Sequence, residues 1–176
     1  MKDILLTSEE FVKASTNCSD NVNSKLMKTA IREAQEINLK SVIGSNMLRK
    51  LKDLVEYGGI EEEEYVAYKE LLDECQYFLA YSTLTKLCVI LTYGLDNVGL
   101  YSKSDEHMET LSVDDTLLLQ NHYQKKADWF QMTLQQYILN HKSELPEIGD
   151  NKCHEIHANL YSAASGGLWL GGKRSK

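Results

Sequence analysis

The chain has 176 residues and a mass of 20.1 kDa, which suits one domain or one domain with an arm. Hydrophobic residues at 43% and charged residues at 26% permit a buried core and argue against wholesale disorder. A net charge of −7 disfavours a general nucleic-acid binder, which needs a positive surface to displace counterions.

A single proline (Pro146) and ten glycines favour long regular elements over a many-turned β sandwich. The charge is uneven. Residues 1–60 carry 9 basic and 8 acidic groups, residues 61–110 carry 3 and 11, and residues 111–176 carry 7 and 7. The net negative charge therefore belongs to the middle segment. Cysteines stand at 18, 75, 88 and 153 with no Cys-x-x-Cys pair, and are expected to be reduced thiols in a cytosolic setting. The opening MKDILLTSEEF lacks a long apolar stretch, so no signal peptide is expected, and no stretch approaches a membrane span.

In chain order, Thr7 to Glu10 reads as a capping box with Leu6 and Phe11 as a hydrophobic staple, predicting a short helix over about 8–15. After a polar loop, a helix over about 23–40 is expected from the stripe Met27, Ala30, Ile31, Ala34 and Ile37. Gly44 should end that region. Ser45 should cap a third helix to about Glu56, with Leu48, Leu51 and Val55 inward, and Gly58-Gly59 should break it.

Glu61 to Glu64 should open the longest helix, to about Tyr93, with four carboxylates near the exposed amides of its first turn. Its seam is Tyr65, Tyr68, Leu72, Cys75 and Leu79, then Leu84, Leu87, Cys88 and Leu91. The irregular step near Tyr81 implies that the buried face moves around the helix. Gly94 reads as its C-cap. Residues 98–102 and 107–111 are expected to form a small hairpin. Ser112 with Asp115 starts a helix to about His141, with Tyr123, Ala127, Phe130, Leu134 and Ile138 on one face, and Pro146 and Gly149 stop it.

The helix expected over 61–93 would span roughly 50 Å, and that over 113–141 roughly 44 Å, at about 1.5 Å per residue. A compact chain of this size is about 40 Å across. The predicted fold class is therefore all-α: an elongated helical bundle with two long helices, a small β-hairpin or irregular insertion, and an extended C-terminal arm. The domain reading is residues 1–149 as the helical unit and 150–176 as the arm.

No residue pattern points to catalysis. Cys153, His154 and His157 form the best metal-like cluster, but a structural zinc site needs four ligands and no second pair matches. Adjacent carboxylates at helix starts do not make an acid–base pair held in a cleft. The pairs Gly166-Gly167 and Gly171-Gly172 fit neither a P-loop nor a dinucleotide fingerprint. No enzyme, metal or cofactor is expected.

The distinctive feature is Leu168-Trp169-Leu170, three large apolar residues between glycine pairs. Burying each side chain gains roughly 1.5–3 kcal/mol. The segment should lie extended, either against its own domain or, as the favoured reading, on a neighbouring subunit or partner. Lys173, Arg174 and Lys176 would then meet an acidic surface, with the 61–110 face of a neighbour as candidate.

Three stretches together resemble a known family: ILLTSEEFVKAS followed by KLMKTAIREAQEINLKSVIGSNMLRKL, then LDNVGLYSKSDEHMETLSVDDTLLLQNHYQKKADWFQMTLQQYILNHKSELPEI, then ANLYSAASGGLWLGGKR. Their order resembles small helical virion proteins of tailed phages of Bacteroidetes, including crAss-like phages, and the N-terminal half resembles the wider head–tail connector (adaptor) family. The resemblance implies a structural protein of the virion neck, whose copies form a ring, expected to be dodecameric, below the portal protein. Such a ring extends the DNA channel and offers a surface to other neck and tail proteins. It implies an arm reaching onto portal or a neighbouring protomer, anchored by Leu168, Trp169, Leu170, Lys173 and Arg174. It also implies only non-specific contact with passing DNA, no membrane, and a host-cytoplasmic stage during assembly. A ring concentrating many copies of the −7 charge would repel DNA from its wall where that charge faces the bore. The alternatives are a tail-completion or assembly factor, or a host-directed helical binding protein.

Overall fold

Ser8 stands in extended conformation before α1 (Glu9–Ser15), and its hydroxyl accepts the Phe11 N–H at 3.1 Å. The cap is thus one residue later than the sequence pattern suggests. Thr7 is instead buried, with its hydroxyl unpartnered. The chain is described by a computed structural model over residues 4–96, 99–102 and 112–149. The predicted arm, 150–176, lies outside these residues.

Asn23 accepts the Lys25 N–H at 2.9 Å and starts α2 (Ser24–Glu33). Met27, Ala30 and Ile31 are fully buried, as their spacing implies. Ile37 is not: it is 60% exposed. The reason is a π-helical turn over Ala34–Leu39, continuing from α2 into α3 (Lys40–Tyr57). A π turn holds more residues than an α turn. The inward positions after Ala34 become Gln35 and Leu39, and Ile37 is carried outward.

Gly44 interrupts α3 at φ 82°, ψ 167°, a conformation essentially restricted to glycine. Beyond it Met47, Leu48, Leu51 and Leu54 are buried. Gly58 ends α3 in the left-handed region at φ 73°. Two 3₁₀ turns follow, Gly59–Glu61 and Glu63–Tyr65, separated by an extended Glu62. The long helix α4 (Val66–Thr92) therefore starts after the acidic run rather than with it. The acidic run thus precedes α4 rather than forming its first turn.

At 27 residues α4 spans roughly 40 Å. Burial moves around it: Tyr68, Leu71, Leu72 and Cys75 give way to an all-round buried stretch at Phe78, Leu79 and Ala80, then Ser82 to Thr85. This is the signature of a central helix. Its N-terminal half belongs to a large core with α3, and its C-terminal half to a second core with Val12, Met27, Ala30 and Ile31; Tyr81 touches both.

Thr92 passes directly into β1 (Tyr93–Asp96), which pairs antiparallel with β2 (Gly99–Ser102) in the register Tyr93↔Ser102 to Asp96↔Gly99. Gly94 is thus a strand residue and not the C-cap. The partner expected for the second strand, 107–111, lies outside the described residues.

Ser112 accepts the Asp115 N–H at 3.1 Å and donates to its carboxylate at 2.6 Å, starting α5 (Val113–Asn140). Tyr123, Ala127, Leu134 and Ile138 are buried and Phe130 is half-buried. Contacts run in reverse order along α4: Tyr137 meets Ala67 and Glu70, and Phe130 meets Tyr77 and Tyr81. The two long helices are therefore antiparallel neighbours. Leu145 is fully buried and leads into one short turn, α6 (Pro146–Gly149), tied to α4 by the Tyr68 hydroxyl donating to Glu147 at 2.8 Å. Apart from the β1–β2 pair, the described elements are helical.

Candidate functional site

Among the described residues, Cys18, Cys75, Cys88, Tyr68 and Tyr137 are buried or half-buried. Cys18, Cys75 and Cys88 are free thiols, and burial pushes all three up in pKa, Cys75 furthest. A nucleophilic cysteine needs the opposite shift. Tyr68 and Tyr137 are also raised, first by burial and then by the carboxylates they face, Glu147 and Glu70. Both tie helices together: the Tyr137 hydroxyl lies 3.0 Å from the Ala67 carbonyl and 3.0 Å from the Glu70 carboxylate. Among the described residues no group of three metal-ligating side chains converges. No helix there is long and apolar enough to cross a membrane. Cys153, His154 and His157 lie outside them, as do the partner-binding residues Leu168, Trp169, Leu170, Lys173 and Arg174.

Two surfaces do stand out. The first is the outer face of α5. Leu118, Met132 and Leu139 are 71%, 67% and 68% exposed, and Trp129 is 60% exposed. Residues 118, 125, 132 and 139 recur at seven-residue steps, so they form one line, with Lys125 as the polar member and Trp129 beside it. The line runs opposite the buried face and covers most of the helix. It carries a second apolar period superposed on the core period, which is the sequence signal that could have revealed it.

The second surface is a groove of about 750 Å³ lined by residues 5–11 with Lys28 of α2, Val55 of α3, Ile60 of the turn after it, and Leu72 and Gln76 of α4. Leu5, Phe11, Val55, Ile60 and Leu72 form its apolar walls. Thr7 lines it too, 4% exposed and with its hydroxyl unpartnered. Glu9 and Glu10 stand on one lip. Ile60, also in the lining, is followed along the chain by Glu61–Glu64, all exposed. Lys28 pairs with Glu9 at 3.4 Å, and Lys69 with Glu61. Glu10 is held below the usual carboxylate range by its own backbone N–H and by the Ser8 hydroxyl, so it is ionised at neutral pH. No local sequence period announces this groove, because its walls come from four separated segments.

An aromatic ladder leads from the groove to α5. Phe11 meets Tyr77 edge-on at 5.4 Å, and Phe130 is stacked between Tyr77 and Tyr81 at 5.5 and 5.2 Å. Trp129 closes it edge-on at 4.9 Å from Phe130. Such pairs add about 0.5–1.5 kcal/mol each beyond area burial and tie α1 and α5 to α4. At the far end of the bundle, a smaller apolar pocket of about 290 Å³ lies between Val22, Leu84, Leu87, Leu119 and Tyr123.

These surfaces can bury apolar and basic groups. No curated protein and no solved structure matches the chain. A family model does, over residues 39–157, taking in α3 to α6 and leaving α1 and α2 outside. Since that match spans more than half of the sequence, the chain belongs to DUF6712, a family of unknown function.

Proposed function

We propose that this chain is a structural subunit of a tailed-phage particle, a head–tail connector whose copies form a ring below the portal and join capsid to tail. The observation that carries the reading is the outer face of α5. Leu118, Trp129, Met132 and Leu139 leave a line of large apolar side chains in water along a helix of 28 residues. Burial of each gains roughly 1.5–3 kcal/mol, so the face favours an assembled state over a lone subunit. A head-to-tail contact of this kind closes into a ring when its rotation permits. The resemblance of the sequence to phage connector proteins supplies the particle, and the acidic charge suits a channel wall that DNA passes without adhering.

The test is analytical ultracentrifugation of the full chain, alone and with a tailed-phage portal protein, followed by electron microscopy of particles. Ring-sized species with portal, and density for the chain at the neck, are the expected results. A chain that stays monomeric with portal, or that is absent from purified particles, overturns the reading.

A further inference from the structure

The groove beside α1 and the Leu168–Lys176 segment are complementary in both polarity and charge. The groove is lined by the apolar Leu5, Phe11, Val55, Ile60 and Leu72, with Glu9 and Glu10 at its rim, and the exposed Glu61–Glu64 follow Ile60 along the chain. Lys28 and Lys69 neutralise Glu9 and Glu61, leaving Glu10 and the exposed Glu62, Glu63 and Glu64 as surplus negative charge. The segment carries Leu-Trp-Leu, then two glycines, then Lys173, Arg174 and Lys176. Those glycines separate the basic residues from the apolar triplet. We propose that this groove is the seat of the chain's own Leu168–Lys176 segment, with the apolar triplet on the floor and the basic residues on the glutamates.

The size agrees. A groove of about 750 Å³ lies within the range of roughly 300–1,000 Å³ typical of ligand clefts. A tryptophan between two leucines is the kind of anchor that dominates an interface when it fills a pocket. Glycines on both sides keep the approaching backbone narrow. The buried, unpartnered Thr7 hydroxyl is a polar group at the same place still lacking a hydrogen bond. Reach is no obstacle: residues 150–167 can extend at most about 60 Å, more than the length of α4. In an assembly an adjacent copy supplies the segment. That choice of copy rests on the connector reading, whereas the seat itself does not.

The experiment uses the full chain in an equal mixture of ¹⁴N- and ¹⁵N-labelled protein. A carbodiimide joins touching amines and carboxylates without a spacer, and mass spectrometry locates the joined pairs. Links from Lys173 or Lys176 to Glu10, Glu62, Glu63 or Glu64 are expected. In a Trp129→Tyr background, which leaves Trp169 as the sole tryptophan, acrylamide should quench its emission weakly. The exposed substitutions Glu10→Lys, Glu62→Lys and Glu63→Lys together should abolish that protection without altering circular dichroism. Links confined to other carboxylates, or protection that survives the triple reversal, overturn the seat. Mixed-isotope links uphold it and support the arm of a ring. Links within single copies alone uphold the seat and count against that arm.

Discussion

The side chain of Gln35 meets the backbone of Leu6 as a neighbouring strand would: its Oε1 accepts the Leu6 N–H at 2.8 Å, while its Nε2 donates to the Ile4 carbonyl at 3.1 Å. Gln35 is fully buried and sits in the π turn, so the irregularity in the helix aims this amide at the incoming chain. One side chain thereby satisfies two backbone groups of a segment that has no ladder of its own. It also holds residues 4–7 in place as one wall of the acidic-lipped groove.

Gln35→Leu should therefore destabilise the fold by about 2–4 kcal/mol, since a buried donor or acceptor left unpaired costs about 1–3 kcal/mol. Urea unfolding monitored by circular dichroism measures this. A loss below about 0.5 kcal/mol would show that residues 4–7 detach at no cost to the bundle.

Two glycines should respond differently to alanine. Gly44, buried at φ 82° and ψ 167°, occupies a region side chains avoid, and Gly44→Ala should cost about 1–3 kcal/mol. Gly58 sits at φ 73° and ψ 8° with open space where a Cβ would stand, so Gly58→Ala should cost about 1 kcal/mol and Gly58→Asn less. Thermal melts of the three variants test the order.

Stability should fall at both ends of the pH range, for opposite reasons. Hydrogen bonding to Lys52 holds Glu36 below the usual carboxylate range. Its contribution is present above the unfolded glutamate value of about 4.3 and is lost as pH drops through the lower folded value. Burial raises Tyr68 and Tyr137. Their contribution is present below about pH 10 and is lost above it, because the unfolded chain ionises its tyrosines while the folded chain keeps them protonated. Glu36→Gln should flatten the acid limb of a stability-against-pH curve, and Tyr68→Phe the alkaline limb. Unchanged limbs would refute these assignments.

Substitution of the α5 stripe should separate assembly from folding. Trp129, Met132 and Leu139 are mostly exposed, so Met132→Lys with Leu139→Lys should move the unfolding midpoint little, within about 0.5 kcal/mol per site. The same pair should abolish higher-order species in ultracentrifugation. Retained assembly would remove this face from the interface.

Much of the helical layout was legible from residues alone. The Ser112–Asp115 start, the stop at Gly58 and the inward face Tyr123, Ala127, Leu134 and Ile138 are local: a cap spans three residues, and a periodic stripe needs only its own helix. The irregular step read near Tyr81 has its counterpart in the all-round burial of Phe78 to Leu84, although only packing on both sides of α4 explains it.

Other features depend on partners far along the chain, and no window of sequence contains them. The exposure of Ile37 follows from a π turn whose inward Gln35 answers a backbone need 29 residues away. The displaced start of α4 follows from the two 3₁₀ turns and extended Glu62 that take up the acidic run, which a local helix-dipole argument does not contain. Sequence by itself determined the all-α class, the stop at Gly58 and the core face of α5, because these are set by backbone geometry and hydrophobic period. Only the tertiary structure decided which helix is central, which apolar residues stay in water, and that four separated segments close an acidic-lipped groove, because burial is a property of neighbours.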